Sequence, residues 1–304
     1  MNYKIFALSF AVIALGAGCS AEQELNPTNT QANNPPTQSD DHASVNHVAK
    51  LAGARIDLEN RNNLKPGSVT FRFKLFGLDG HEFGSDDLKI AHEKKMHLLL
   101  VRDDMTQFQH LHPEVKDGKW AVQTTISEAG AYNIYVDIAP NEESPTVLRV
   151  PVTIGGPTVT KQESKPAVSA QDGSVTATLV TSGPFKTNEH TQLRFQLTKN
   201  NQPAADIAPY LGAFGHVVAI RHGDADDFFH VHPVTETKPT NGVVEFDAQF
   251  PITGRYTLYA QFNVGGSVKT FPITIDVTEK GADTDTTHGH GAAAPESESG
   301  GHHN

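Results

Sequence analysis

The sequence holds 304 residues with a formal net charge of −11 and a single cysteine. That acidic balance excludes a nucleic-acid binder, whose affinity comes from Lys and Arg neutralising phosphates. One cysteine excludes an internal disulfide framework, and the length allows two domains of ordinary size.

In chain order the first element is MNYKIFALSFAVIALGAGCSAEQ, in which Lys4 precedes an apolar run over 5–17 and then small residues. The run is too short to span a bilayer and has the layout of an export signal. Its LGAGC ending resembles the lipobox of bacterial lipoproteins, with Gly16 where an aliphatic residue is usual. The resemblance implies cleavage before Cys19 and attachment of lipid to it. Residues 1–18 are thus expected to be a lipoprotein signal peptide, and their removal with Lys4 takes the net charge from −11 to −12. The expected location is extracytoplasmic, with the lipid bilayer as partner through the anchor. Ser20 in place of the Asp that favours inner-membrane retention points to the outer membrane where the envelope has two.

Residues 19–50 are rich in Asn, Thr, Gln, Pro and Ser. Such a segment buries too little apolar surface to offset its ordering entropy, so it is expected to be a disordered tether. The tail 279–304, with His288, His290, His302 and His303, has the same character. Between them the sequence repeats itself in order. VTFRFKL (69–75) matches TQLRFQL (191–197). MHLLLVRDDMTQFQHLHP (96–113) matches GHVVAIRHGDADDFFHVHP (215–233). AGAYNIYVDI (129–138) matches TGRYTLYAQF (253–262), and VPVTI (150–154) matches FPITI (271–275). The expected layout is a domain over 51–156, a linker over 157–172 and a second domain over 173–278.

Each repeat reads as strands. SVTFRFKL alternates apolar Val69, Phe71, Phe73 and Leu75 with polar residues, the period of a half-buried strand. Similar runs follow at short spacing, separated by Gly, Pro, Asn and Asp, and no long amphipathic helix stands out. The expected fold is all-β, two tandem β-sandwich domains of immunoglobulin-like or cupredoxin-like type with disordered tails. The patterns Gly130-x-Tyr132-x-x-Tyr135 and Gly254-x-Tyr256-x-x-Tyr259 resemble the tyrosine corner of immunoglobulin-like sandwiches; the alternative is a turn glycine followed by two core aromatics.

His-x-His-Pro occurs twice, at His110–Pro113 and His230–Pro233, each with a third histidine upstream, His97 and His216. Folding each segment back to oppose its histidines centres the turns near residue 104 and near 223–224, both among polar turn-formers. Residues i and i+2 of a strand share a face, and directly opposed residues of a hairpin lie about 5 Å apart at Cβ. His97, His110 and His112 are therefore expected to form one metal site, and His216, His230 and His232 another. The alternative is structural, with ring N–H groups holding loop carbonyls. Met96, beside His97, has no counterpart because Gly215 stands there.

The segments carrying these histidines resemble extracytoplasmic bacterial modules of the YtkA-like or FixH-like kind, small immunoglobulin-like or cupredoxin-like β domains often found alongside copper-handling domains. The resemblance covers roughly residues 54–155 and 175–277. It implies export, a β fold and a copper context. Imidazole sites bind Cu(II) most tightly among first-row divalent ions, so the expected cofactor is a copper ion, with a zinc ion as the alternative. A blue-copper centre needs a Cys ligand, and Cys19 is assigned to lipid.

The expected function is metal capture, buffering or delivery, with metal-handling envelope proteins as partners and no enzymatic activity. H-E-x-x-H, G-x-S-x-G and P-loop patterns are missing from the sequence. The other readings are an envelope scaffold or adhesion protein with structural histidines, and a copper-dependent enzyme. Neutral imidazole is the ligand form, so binding is expected to weaken below about pH 6.5.

Overall fold

The structure, a computed structural model, describes residues 54–157, 159–181, 183–223 and 227–281, without the side chain of His232. The leader, the whole tether with Cys19 and the tail from 282 onward lie outside the described residues.

The first repeat contributes β1 (Arg55–Leu58), β2 (Gly67–Phe76), β3 (Met96–Arg102), β4 (Phe108–Leu111), β5 (Glu114–Lys116), β6 (Lys119–Ile126), β7 (Gly130–Ile138) and β8 (Thr146–Ile154). They form two four-stranded sheets, ordered β1-β2-β6-β5 and β4-β3-β7-β8. The period-two strand reads out as expected: Phe71, Phe73 and Leu75 of β2 point into a core that also holds Leu98, Leu100, Trp120 and Ile134. Burial of each such side chain is worth about 1.5–3 kcal/mol.

The second repeat contributes β9 (Ser169–Asp172), β10 (Val175–Val180), β11 (Phe185–Lys186), β12 (His190–Lys199), β13 (Gln202–Pro203), β14 (Ile207–Ala208), β15 (His216–Arg221), β16 (Phe228–Pro233), β17 (Val243–Gln249), β18 (Gly254–Val264) and β19 (Ser267–Thr278). Leu193, Phe195 and Leu197 of β12 fill its core beside Phe246 and Phe262. The fold is all-β, with no α-helix among the described residues and one 3-10 turn at Ser85–Asp87.

The linker expected over 157–172 is shorter than that. Ser169–Asp172 is strand β9, paired with β10, and Ala167 already exchanges hydrogen bonds with Thr274. Much of the remainder is strapped down. Arg102 Nη2 donates to the Val159 carbonyl, the Gln162 amide donates to Asp104, and Arg255 Nη1 donates to the Ser164 carbonyl. The composition read as loose chain misses this because the partners are backbone groups and distant charges.

Both tyrosine corners are present. Tyr132 Oη donates to the Glu128 carbonyl and Tyr256 Oη to the Ile252 carbonyl, each at 2.9 Å and each four residues upstream.

The prolines after the histidines mark a change of sheet. Val231 still pairs with β15, whereas His232 and Pro233 pair with β17. In the first repeat β4 ends at Leu111, and Glu114 opens β5 against the other sheet. Proline has no N–H for a ladder, so it suits the point where a strand leaves one neighbour for another.

One feature of the sandwiches departs from polar-out alternation. Every residue of β3, Met96 to Arg102, is buried, and so are His216–Ile220 of β15. The inner faces serve each repeat's own core. The outer faces meet one another: Leu99, Val101, Tyr135 and Val147 of the first repeat cluster with Val218, Ile220, Phe228 and Tyr259 of the second. Phe108 stacks on Tyr259 with ring centroids 4.0 Å apart, and Phe228 stacks on Tyr135 at 5.2 Å. Phe108 and Phe228 are equivalent in the repeats, as are Tyr135 and Tyr259, so the contact is reciprocal, with a pseudo-two-fold character.

Candidate metal centre at the repeat seam

The β3–β4 hairpin pairs Leu98 with Leu111 and Leu99 with His110. One step further along this register sets His97 opposite His112. β7 lies on the other side of β3, with Asp137 opposite His97 and Tyr135 opposite Leu99. His97, His110, His112, Tyr135 and Asp137 therefore share the outer face, the one turned to the other repeat. In the second repeat Val217 pairs with Val231 and Val218 with His230, and β18 places Gln261 opposite His216.

One ligand nitrogen from each of His97, His110 and His112 lies within 4.8 Å of the others. Their ring centroids are 5.1, 5.1 and 4.9 Å apart. In the second repeat His216 and His230 come together at 5.0 Å. The side chain of His232, the third member expected there, lies outside the described residues. The two groups are not separate sites at distant places. His110 and His216 are 5.0 Å apart between centroids, and His97 stacks on His216 at 6.0 Å. The five of these six expected histidines whose side chains are described lie together at the seam. Of the two three-histidine groups expected, the first comes together as His97, His110 and His112, and two described members of the second, His216 and His230, lie beside it.

The ring orientations are fixed from outside the cluster. His97 Nε2 donates to the Ala91 carbonyl at 3.0 Å. His110 Nδ1 donates to Gln261 Oε1 of the other repeat at 2.7 Å. His230 Nε2 donates to Asp137 Oδ2, again across the seam, at 2.6 Å. Carbonyl and carboxylate oxygens only accept, so in the neutral ring the proton sits on the outer nitrogen and the inner one carries a lone pair.

The consequence is unusual. His97 Nδ1 and His110 Nε2 face each other at 3.0 Å, and with both outer nitrogens protonated neither has a hydrogen to give. His112 Nε2, His216 Nε2 and His230 Nδ1 are buried with no hydrogen-bond partner among the described residues. A shared proton would relieve the facing pair, but burial resists it. Desolvation pushes His97 down to about 4, with the neighbouring His230 and His112 also lowering it. It pushes His112 to about 4, helped by Lys94, and His110 and His216 well below the ordinary range. Asp137 is held below the usual carboxylate range: burial opposes this, but His230 beside it prevails. Proton competition for the inner nitrogens therefore sets in well below the pH of about 6.5 expected from an unperturbed imidazole.

A cation satisfies what a proton does not. Two nitrogens each about 2.0–2.1 Å from one ion are roughly 3 Å apart, and the facing pair is at 3.0 Å. Protein acceptors on the outer nitrogens are the usual means of orienting imidazole ligands.

Sequence reasoning missed three contributors: His92, Asp137 and Gln261. His92 lies on the turn Ala91–Lys94, with centroids 6.0, 5.6 and 5.7 Å from His97, His216 and His230. Its repeat counterpart is Leu211 on the matching turn Tyr210–Ala213, so self-comparison hides it. Asp137 and Gln261 occupy one repeat position, where a signal existed: a polar residue inside YVDI and YAQF. Gly215 also gains a reason. A Cβ there would stand 2.6 Å from Phe262 Cε1 and 2.8 Å from Phe246 Cζ, two buried rings, whereas Met96 fills its own core.

A family model described as a domain of unknown function (DUF8832) matches the chain twice, over residues 49–155 and 169–279. No curated protein matches the chain. Among solved structures, a Salmonella alpha-2-macroglobulin is 12% identical with a TM-score of 0.24, covering 76% of this chain, which spans only 15% of that one. The fibronectin(III)-like modules of Clostridium thermocellum CbhA are 9% identical with a TM-score of 0.22, covering 77% of this chain and 100% of theirs. The Escherichia coli adhesin FdeC is 12% identical with a TM-score of 0.24, covering 75% and 65%. Likenesses at this level carry no argument about function.

Proposed function

The chain belongs to the DUF8832 family, so its reading rests on its own residues, and we propose that it is a membrane-anchored, exported lipoprotein that holds a transition-metal ion through His97, His110 and His112. Copper is the favoured ion and zinc the alternative, and the role is capture, buffering or delivery, with no turnover of its own. One observation carries the reading: two lone pairs, on His97 Nδ1 and His110 Nε2, face each other at 3.0 Å with His112 alongside. Copper is favoured because imidazole ligands place Cu(II) above Zn²⁺ in affinity. The resemblance to YtkA-like and FixH-like modules supports the same choice.

The test is titration of the purified full chain with Cu(II) and with Zn²⁺, followed by calorimetry and metal analysis. The double variant His110→Ala/His112→Ala is expected to lose at least about 100-fold in affinity, as removal of two ligands from a three-ligand site implies. Wild-type affinity in that variant, with its circular dichroism unchanged, would show that the histidines only brace the seam.

The anchor has its own test. Cys19→Ala should move the protein from the detergent phase to the aqueous phase on partitioning. Detergent-phase retention in that variant would defeat lipidation at Cys19.

A further inference from the structure

We propose that the metal site is finished only when the two repeats are docked: Gln261 of the second repeat is a positioning residue for His110 of the first, so that ion binding and closure of the seam are linked and parting the repeats loosens the hold on the ion. The proposal rests on the reading that His97, His110 and His112 hold an ion.

All three of those histidines belong to the first repeat, yet they are not oriented from the same side. His97 is fixed within its own repeat, Nε2 donating to the Ala91 carbonyl at 3.0 Å. His110 is fixed from the other repeat, Nδ1 donating to Gln261 Oε1 at 2.7 Å. Gln261 is 5% exposed, and its far end is held as well: Nε2 donates at 3.1 Å to Oγ1 of Thr270, its partner on the neighbouring strand β19. An amide held in this way presents its oxygen, which only accepts. The proton of neutral His110 is therefore kept on Nδ1, and Nε2 keeps its lone pair. That lone pair faces the one on His97 Nδ1 at 3.0 Å. Free to turn, the His110 ring would escape this opposition. Gln261 holds it there, ready for a cation.

The second repeat contributes more than one bond. His216 of β15 lies against the ligands, its ring centroid 5.0 Å from His110 and stacked on His97 at 6.0 Å. In return Asp137 of the first repeat accepts from His230 Nε2 of the second at 2.6 Å. Opening the seam removes all of these contacts together. The seam itself is side-chain packing, Leu99, Val101 and Tyr135 against Val218, Ile220 and Tyr259, and a chain with one cysteine has no internal disulfide to lock it. An ion that prefers the docked form strengthens docking by the same factor by which docking strengthens its binding.

The experiment uses the full chain with the tail histidines His288, His290, His302 and His303 changed to alanine, so that the tail adds no copper. Cu(II) affinity is measured by competition with a chelator, and hydrogen exchange is followed with and without Cu(II). Gln261→Leu, which keeps the bulk and removes the acceptor, is expected to bind Cu(II) about 10–100-fold more weakly. Gln261→Glu, which keeps an acceptor, should bind within a few-fold of the parent. In the parent, Cu(II) should slow exchange in β15 and β18, which carry none of the three ligands, more than in β10 and β12 of the same repeat. Parent affinity in Gln261→Leu, or an equal loss in Gln261→Glu, would overturn the proposal while leaving the three-histidine reading intact. So would protection no greater in β15 and β18 than in β10 and β12, which decides the matter if Gln261→Leu does not fold. Cu(II) binding in the parent that does not depend on His110 and His112 would overturn both.

Discussion

Metal-free protein is expected to lose stability as pH falls from about 6.5 to about 4. His97 is 1% exposed, and its folded pKa is lowered from 6.5 to about 4. In that window the unfolded chain takes up a proton that the folded chain refuses. Stability is therefore whole above the unfolded value and drains away as pH falls towards the folded one. A shift of this size is worth on the order of 3 kcal/mol for His97 alone. His112, more exposed, adds less, while His110 and His216 shift in the same direction. Burial works to raise the pKa of Asp104, but hydrogen bonds from Thr106 and the Gln162 amide, with Arg102 adding, lower it, so its contribution is lost only below the usual carboxylate range. Denaturant midpoints measured with a chelator present, between pH 7.5 and 4, check this. A flat profile down to pH 4.5 would mean that the cluster stays hydrated and protonates freely.

Tyr259→Ala should cost about 3–5 kcal/mol, the range for a large aromatic side chain removed from a core. Tyr259 is 1% exposed, stacks on Phe108 at 4.0 Å and donates its hydroxyl to the Met105 carbonyl at 2.9 Å. It faces away from its own sandwich, so the loss falls on the seam. Hydrogen exchange should speed up in β3 and β15 more than in β2 and β12. Tyr259→Phe keeps the stack and strands one carbonyl, at about 1–3 kcal/mol. Equilibrium unfolding of the three proteins provides the comparison. A Tyr259→Ala loss under about 1 kcal/mol would mean that the repeats scarcely lean on each other.

The sandwiches were legible because Phe71, Phe73 and Leu75, and again Leu193, Phe195 and Leu197, alternate strictly with polar residues. The turns were legible because Asp103–Asp104 and His222–Gly223 interrupt apolar runs. The seam was also written in the sequence, but in a form easily passed over. Antiparallel sandwich strands with one wet face alternate, whereas Leu98–Val101 and Val217–Ile220 are apolar without interruption, as strands buried on both faces must be. Phe108 and Phe228, set on the histidine face, say the same. What spacing within one repeat could not supply was the partner across the seam. Gln261 and Asp137 belong to β18 and β7, remote in sequence from the rings they orient.

The reciprocal seam also bears on why the repeats are joined in one chain. A lone repeat would present the same face, and two copies could meet through it as an isologous pair. Such a dimer must place the same residue at both equivalents of position 137. It would bring two carboxylates or two amides to the histidines. Covalent linkage lifts that restriction and holds each half at high effective concentration near the other. This chain has Asp137 on one side and Gln261 on the other, and His92 on one turn and Leu211 on its twin. Duplication thus yields a pocket whose halves differ in charge and in donor number, which an assembly of identical subunits cannot build.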